Sequence, residues 1–256
     1  MTEAKLKDKV AVVAGGAKNL GGLISRQLAG QGAKIVVHYN SAGTRADAEA
    51  TVASIKGSGG EAIAVQGDLT KPANVAALFA AAEQAFGGVD IAINTAGMVI
   101  RKKIVDITEA EFDTTCAINA KAAFFFIQEA GRRLRERGKI CTIVTSLLAA
   151  YWDEYSIYAG TKAPVEHYTR AASKEFGARG ISVTAVAPGP MDTPFFYGQE
   201  TPQTVAAIKG AAALAKYTPS GLTHIEDIAP LVVFLVTDGW WITGQTIFAN
   251  GGFTTR

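Results

Sequence analysis

Short runs rich in β-branched residues, at 10–14, 34–39, 62–66, 89–93, 139–145, 181–186 and 245–249, recur along this chain with longer stretches between them. In those stretches, at 20–31, 44–56, 72–86, 108–135 and 156–178, alanine, leucine and charged residues return at three- and four-residue spacing, the period of a helix with one apolar face. Strand and helix in alternation predict β-α units joined by right-handed crossovers into a parallel sheet. The expectation is a doubly wound α/β fold of seven strands, three layers deep, with a ligand crevice beyond the carboxyl ends of the strands. A chain of 256 residues that is 48% hydrophobic can cover both faces of such a sheet, and no repeat or linker divides it, so 1–256 is read as one domain. Regularity lapses at about 188–222, where Pro188, Pro190, Pro194, Pro202 and Pro219 interrupt helix-like pieces; an insertion of this length after the sixth strand reads as a lid over the crevice.

Charge and cysteine content narrow the partners. A formal charge of +2 gives no field that would favour nucleic acid or a membrane surface. The apolar run Val10 to Ala14 is too short for a signal-peptide core, and Ile228 to Val236, interrupted by Pro230, is too short to span a bilayer. Cys116 and Cys141 lack metal-ligand spacing and are expected to be reduced thiols. These features predict a cytoplasmic protein whose partner is a small molecule.

Directly after the first strand stands Gly15-Gly16-Ala17-Lys18-Asn19-Leu20-Gly21-Gly22, which opens into a helix. Strand, glycine turn and helix N-terminus make a diphosphate site, because bare backbone allows close approach and the helix end presents free N–H groups. A dinucleotide site built for NAD carries a carboxylate at the end of the second strand to meet the ribose 2′-hydroxyl. Here that strand ends Val37-His38-Tyr39-Asn40-Ser41, without an acid, while Lys18 lies in the glycine turn and Arg45 follows near the same corner. Asn40 and Ser41 can donate hydrogen bonds. The pattern predicts NADP(H).

Tyr158 and Lys162 stand four apart at the start of a predicted helix, hence one turn apart on one face. A phenol titrates near 10, and a neighbouring ammonium favours its ionised form, which suits a general acid. The strand before this helix ends Val144-Thr145-Ser146. A hydroxyl there can hold a substrate oxygen while Tyr158 donates a proton. Alternation along the strand favours Ser146 for that task, with Thr145 as the alternative.

Taken together, these segments resemble the short-chain dehydrogenase/reductase family, ketoreductase type, over essentially the whole chain. Gly15 and Gly21 match the first and third glycines of its turn; Asn19 replaces the middle one, and asparagine enters positive-φ conformations readily. The resemblance implies a Rossmann-type fold. It implies that Asp68, in Gly67-Asp68-Leu69, meets the adenine, that Asn94, Ala96 and Gly97 of Asn94-Thr95-Ala96-Gly97 steady the sheet beside the cofactor, and that Pro188, Gly189 and Thr193 form the loop over the nicotinamide. It also implies catalysis by Ser146, Tyr158 and Lys162, with Lys162 bonding the nicotinamide ribose and Asn119 supporting a water that links Lys162 to solvent. The segment from Ser146 to Tyr158 is one residue shorter than is usual in the family, which is why Thr145 stays open.

The activity so implied is reversible NADPH-dependent reduction of a ketone or aldehyde. Met98, Leu148, Tyr151, Trp152, Phe195 and Phe196, with Val99, Ile100, Leu147 and Tyr197 beside them, are expected to wall an apolar substrate pocket. Arg101, Lys102 and Lys103 leave open an anionic handle on the substrate, such as an acyl carrier. The resemblance further implies a homotetramer or homodimer. Two rival readings are a cofactor-sensing regulator without turnover and an enoyl reductase; the latter usually spaces tyrosine and lysine further apart.

Overall fold

The computed structural model describes residues 4–255. Its strands β1 (Val10–Ala14), β2 (Lys34–Tyr39), β3 (Ala62–Gln66), β4 (Val89–Asn94), β5 (Leu134–Ile143), β6 (Ser182–Pro188) and β7 (Gln245–Ala249) form one parallel sheet in the order β3-β2-β1-β4-β5-β6-β7. This is the Rossmann-type arrangement. Between the strands run α1 (Asn19–Gly30), α2 (Arg45–Gly57), α3 (Pro72–Phe86), α4 (Glu109–Cys116), α5 (Ala122–Arg133) and α6 (Ser156–Glu175), followed by α7 (Pro194–Tyr197), α8 (Pro202–Ile208) and α9 (Ile225–Val236).

The sheet is apolar on both sides because successive strand residues point to opposite faces. Ala11, Val13, Ile35, Val37, Ile91 and Ile93 face one layer, sealed by Ile24 and Leu28 of α1 and Val232 and Leu235 of α9. Val10, Val12, Val36 and Ile140 face the other, sealed by Val75, Leu78 and Phe79 of α3 and Phe126 and Ile127 of α5. The order reverses between β1 and β4, whose registered ends, Ala14 opposite Asn94, open the crevice.

Three departures from the expected boundaries bear on the site. The single helix expected over 108–135 is α4 and α5 joined by a π-helical turn, Ala117–Lys121, a local widening that periodicity cannot show. The fifth strand begins earlier than expected. Val89 pairs with Leu134 and Ile91 with Lys139, so residues 135–138 bulge out over Asp90, with Arg137 at φ +62°. That strand also stops at Ile143, and from Thr145 the chain tightens into a 3₁₀ turn, Ser146–Leu148.

The insertion at 188–222 contains α7, α8 and a 3₁₀ turn, Ala215–Tyr217, and its two ends are tied together. Met191 bridges Thr223, the Asp192 N–H donates to the Thr223 carbonyl at 2.9 Å, and the Thr223 N–H donates to the Pro190 carbonyl at 3.0 Å. Phe196, Ile208 and Leu222 give it a small core of its own, against which Trp152 packs. Among the described residues no helix is long and apolar enough to cross a membrane.

Candidate active site

The glycine turn is as tight as its composition requires. Gly15 has φ +71°, and a Cβ there would lie 2.6 Å from Thr95 Oγ1; a Cβ on Gly21 would lie 2.2 Å from the Gly15 carbonyl oxygen. Asn19 takes φ +49°, the conformation that its side chain tolerates. Lys18 stands at the N-cap of α1 without a side-chain cap, so the first N–H groups of the helix face the crevice unsatisfied.

A crevice of about 640 Å³ runs from this turn to the start of α6. Gly15, Lys18, Asn19, Leu20, Gly21, Tyr39, Asn40, Asp68, Leu69, Ala96, Gly97, Met98, Tyr158, Lys162 and Thr193 all line it, which brings together most of the residues expected to hold the cofactor. Others lie elsewhere. Ser41 is exposed at the start of a 3₁₀ turn, and Pro188 and Gly189 border a second cavity instead. Asn94 is buried beneath the crevice, its side-chain oxygen accepting from the Ala96 N–H at 3.0 Å, a support to the loop.

The corner at the end of β2 carries no acid on the strand, but its cations have partners. Lys18 pairs with Asp47 at 2.8 Å, and Arg45 donates to the Tyr39 hydroxyl at 3.3 Å. Asp68 accepts from the Thr70 N–H at 3.0 Å and the Thr70 hydroxyl at 2.7 Å, bonds that hold its carboxyl below the usual range. It thus fixes the approach to α3 as well as lining the crevice.

Sequence reasoning missed His38. Its ring is 3% exposed, and Nδ1 accepts the Gly15 N–H at 3.0 Å. Nδ1 therefore carries no proton, and Nε2–H donates to the Gly67 carbonyl at 2.7 Å. Burial lowers the pKa of this histidine, opposed by the bond to Gly67. A search of the strand end for a carboxylate passes over it.

Tyr158 and Lys162 occupy the first turns of α6, one turn apart as expected. Lys162 is buried and donates to the Ile143 carbonyl at 3.1 Å and the Ala96 carbonyl at 3.4 Å. Gly97 makes room for it, since a Cβ there would lie 2.9 Å from Lys162 Nζ and 3.1 Å from Asn119 Oδ1. The electrostatics differ from the expectation that the lysine lowers the tyrosine. Burial pushes the Tyr158 phenol up to about 12, opposed by a hydrogen bond from Thr145. Burial also pulls Lys162 down to about 8, so the ammonium is gone before the phenol starts to titrate.

The hydroxyl bonded to Tyr158 is that of Thr145, which also accepts the Leu147 N–H at 3.2 Å. Ser146 is buried one residue further along the 3₁₀ turn. The alternation that favoured Ser146 does not reach it, because the strand ends at Ile143. Asn119 lies in the π-turn, where its side-chain oxygen accepts the Met98 N–H at 2.9 Å and its amide donates to the Met98 carbonyl at 2.9 Å and the Thr161 hydroxyl at 3.0 Å. These bonds brace the loop after β4 against α6.

Beyond Tyr158, a cavity of about 90 Å³ is walled by Val99, Leu147, Trp152, Tyr155, Phe195, Phe196, Ile208 and Phe253. Trp152, Phe195 and Phe196, expected to wall a substrate pocket, line this cavity. Tyr151 does not: it is 95% exposed. Leu148 packs with Val144, Val165 and Ala187, behind the cavity, and Met98 lines the crevice instead. Tyr155, Ile208 and Phe253 were not foreseen. Tyr155 precedes Tyr158 by three and could have been found by helical spacing; Ile208 and Phe253 arrive only through tertiary folding.

Arg101 offers no free cation to a substrate, being held by Glu154 at 2.9 Å and by the buried Glu200 of the lid at 3.2 Å. Tyr155 also donates to Glu200. Lys102 pairs with Glu111 at 3.0 Å. Among the described residues no cluster of histidine, cysteine or carboxylate side chains could hold a metal, and both cysteines are free.

A glycine-turn crevice ending at a half-buried tyrosine and a buried lysine, with an apolar cavity beyond, defines a dinucleotide-type oxidoreductase fold with a site for a small molecule. The family model described as Enoyl-(Acyl carrier protein) reductase matches residues 15–254. A relative from Arabidopsis thaliana, called NADPH-dependent aldehyde reductase-like protein, chloroplastic, is 35% identical, with 97% of this chain and 95% of that protein aligned. A solved structure described as a dehydrogenase from Burkholderia cenocepacia with bound NADP is 59% identical, with TM-score 0.97 over 100% of this chain and 97% of that one. A blue fluorescent protein from a metagenomic library, solved in complex with NADPH, is 32% identical, with TM-score 0.91 over 98% and 100% of the two chains. The chain belongs to the short-chain dehydrogenase/reductase family, a family of oxidoreductases.

Proposed function

We propose that this protein is an NADPH-dependent carbonyl reductase acting on small, uncharged, largely apolar ketones or aldehydes. The observation that carries the reading is that Tyr158, with Val144, Met191, Thr193 and Phe195, borders both the long crevice and the apolar cavity. A proton donor stands where the two meet.

The residues present fit NADP(H). The uncapped start of α1 and the glycine turn would hold the diphosphate, Lys18 and Asn40 the ribose 2′-phosphate, Asp68 the adenine, and Lys162 and Thr193 the nicotinamide end. When bound, the reduced nicotinamide supplies a hydride. Tyr158 gives its phenolic proton to the carbonyl oxygen as charge develops there, and Thr145, hydrogen-bonded to Tyr158, steadies the same oxygen. Thr145 takes the role that alternation had assigned to Ser146. Lys162, while ionised, makes the phenol a better acid. The apolar and aromatic walls of the cavity, Val99, Leu147, Trp152, Phe195 and Phe196, suit an uncharged substrate. The four-residue interval between Tyr158 and Lys162 favours carbonyl over carbon–carbon double-bond reduction.

The test follows NADPH absorbance with a panel of ketones, aldehydes and enones. Ketone or aldehyde turnover is expected, with a roughly 10²- to 10⁴-fold loss in Tyr158→Phe, the usual weight of a general acid. Thr145→Ala should lose far more activity than Ser146→Ala. Full activity in Tyr158→Phe, or consumption of the enones alone, would refute the reading.

A further inference from the structure

The cofactor crevice is assembled from separate loops, and one side chain joins two of them. His38 receives the Gly15 N–H on Nδ1 at 3.0 Å and donates from Nε2 to the Gly67 carbonyl at 2.7 Å. Gly15 is the first residue of the glycine turn, in a left-handed conformation at φ +71°. Gly67 immediately precedes Asp68, and both Gly15 and Asp68 line the crevice. The imidazole lies between the loop that would receive the diphosphate and the loop that would receive the adenine. It spends both of its polar atoms on them.

We propose that His38 is a positioning residue for the dinucleotide, a neutral strut that sets the glycine turn and the Gly67–Asp68 loop at a fixed separation. The proposal rests on the reading of the crevice as an NADP(H) site. Three features argue for a strut over an ordinary core histidine. Both ring nitrogens bond backbone, so the ring fixes main-chain positions on two loops and can relax toward neither. The ring is 3% exposed, so its own atoms are shielded from water, while Gly15 and Gly67 are half-buried. The sheet hydrogen bonds of β2 stop at Tyr39 opposite Gln66, and β1 ends at Ala14, so Gly15 and Gly67 each lie just past the end of a strand. The backbone bond of Gly67 N–H to the Tyr39 carbonyl, at 3.0 Å, still ties that loop to β2. Gly15 has the imidazole for its N–H.

His38 touches neither the reacting atoms nor the substrate cavity, so its loss should act on cofactor affinity above all. Phenylalanine fills similar volume with no polar atom, and asparagine keeps an acceptor at the position of Nδ1. The dissociation constant of NADPH is read by its fluorescence, and melting temperature is read with and without NADPH. Steady-state kinetics at saturating cofactor supply kcat. His38→Phe is expected to weaken NADPH binding by about tenfold, the weight of a part-buried hydrogen bond lost with its donor left unpaired. The KM for NADPH should rise in step and kcat should move much less; His38→Asn, which keeps the acceptor for Gly15 but has no atom that reaches Gly67, should also weaken binding. NADPH binding in His38→Phe within twofold of the unaltered protein overturns the proposal, as does an equal fall of kcat and affinity, which would mark general damage to the fold. If His38→Phe does not fold, His38→Asn decides: a tenfold loss of affinity in a folded protein with kcat kept supports the strut, and affinity within twofold of the unaltered protein overturns it, because the bond to Gly67 would then be dispensable. Failure of the unaltered protein to bind NADPH at all would instead remove the reading of the crevice, and the strut with it.

Discussion

Lys162 has two backbone carbonyls for partners and, among the described residues, no ion pair. Its charge is therefore marginal, and burial brings its titration down to about 8, from an ordinary value of 10.5. Below that pH the site holds an ammonium beside a protonated phenol; above it, a neutral amine beside a phenol near 12, which is a poor acid. The sign follows: carbonyl reduction should lose kcat/KM as pH rises through about 8. A profile of kcat/KM for the carbonyl at saturating NADPH checks this, and a plateau extending to pH 10 would contradict it. At this scale the sequence was readable where a role depends on neighbours along the chain. Asn19 in its positive-φ turn and Tyr158 one turn from Lys162 are of that kind. His38 is not, and Thr145 could be named only as an alternative to Ser146. His38 bonds Gly67, brought beside it by strand pairing, and the strand ends just before Thr145 at a point that alternation could not place.

Asn119 belongs to an element, the π-turn that interrupts the helix from Glu109 to Arg133. The extra residue in that turn lets one side chain reach back to both polar groups of Met98 and across to Thr161. Three elements are thereby held at one point: the loop after β4, the α4–α5 pair and α6. The Met98 groups are half-buried and can find water, whereas Asn119 is 1% exposed, so Asn119→Ala should cost about 1–3 kcal/mol. For a chain of this size that is a fall of roughly 2–4 °C in melting temperature per kcal/mol. Activity should fall as well, because Lys162 lies against the same loop. A thermal scan showing no change would remove the brace from the account. Helical periodicity over 108–135 concealed the π-turn, since the apolar spacing continues across it. Likewise the bulge over Asp90 depends on Arg135, whose guanidinium reaches Asp90 at 3.1 Å and the Gly87 carbonyl at 2.8 Å, contacts with no trace in local pattern.

For the whole molecule, the alternation of strand and helix was enough to specify the sheet, its layers and the end at which the site lies. What it leaves unsettled is the outer surface, where apolar side chains remain uncovered in several places, two of them aromatic groups on the outer helices and the sheet edge. Phe112 and Phe124, 50% and 43% exposed, lie on the α4–α5 pair. Phe234, Trp240 and Trp241, 44%, 52% and 82% exposed, lie at the end of α9 and before the edge strand β7. Fully burying a large apolar side chain contributes about 1.5–3 kcal/mol, against an association cost of roughly 4–15 kcal/mol. Across a two-fold axis every ring counts twice, so a few half-covered aromatics can meet the lower part of that cost, together with the surface around them. Two such patches on different elements allow two kinds of two-fold contact, and the assembly expected from them is a tetramer with the second patch joining pairs of dimers. Light scattering on the purified protein should give four times the chain mass of 26.8 kDa. Placing glutamate at both Phe234 and Trp241 should reduce it to a dimer held by the α4–α5 surface, with the fold intact by circular dichroism. An unaltered protein that runs as a monomer at micromolar concentration would show that these rings are tolerated in water, and would break the inference from exposed aromatic surface to assembly.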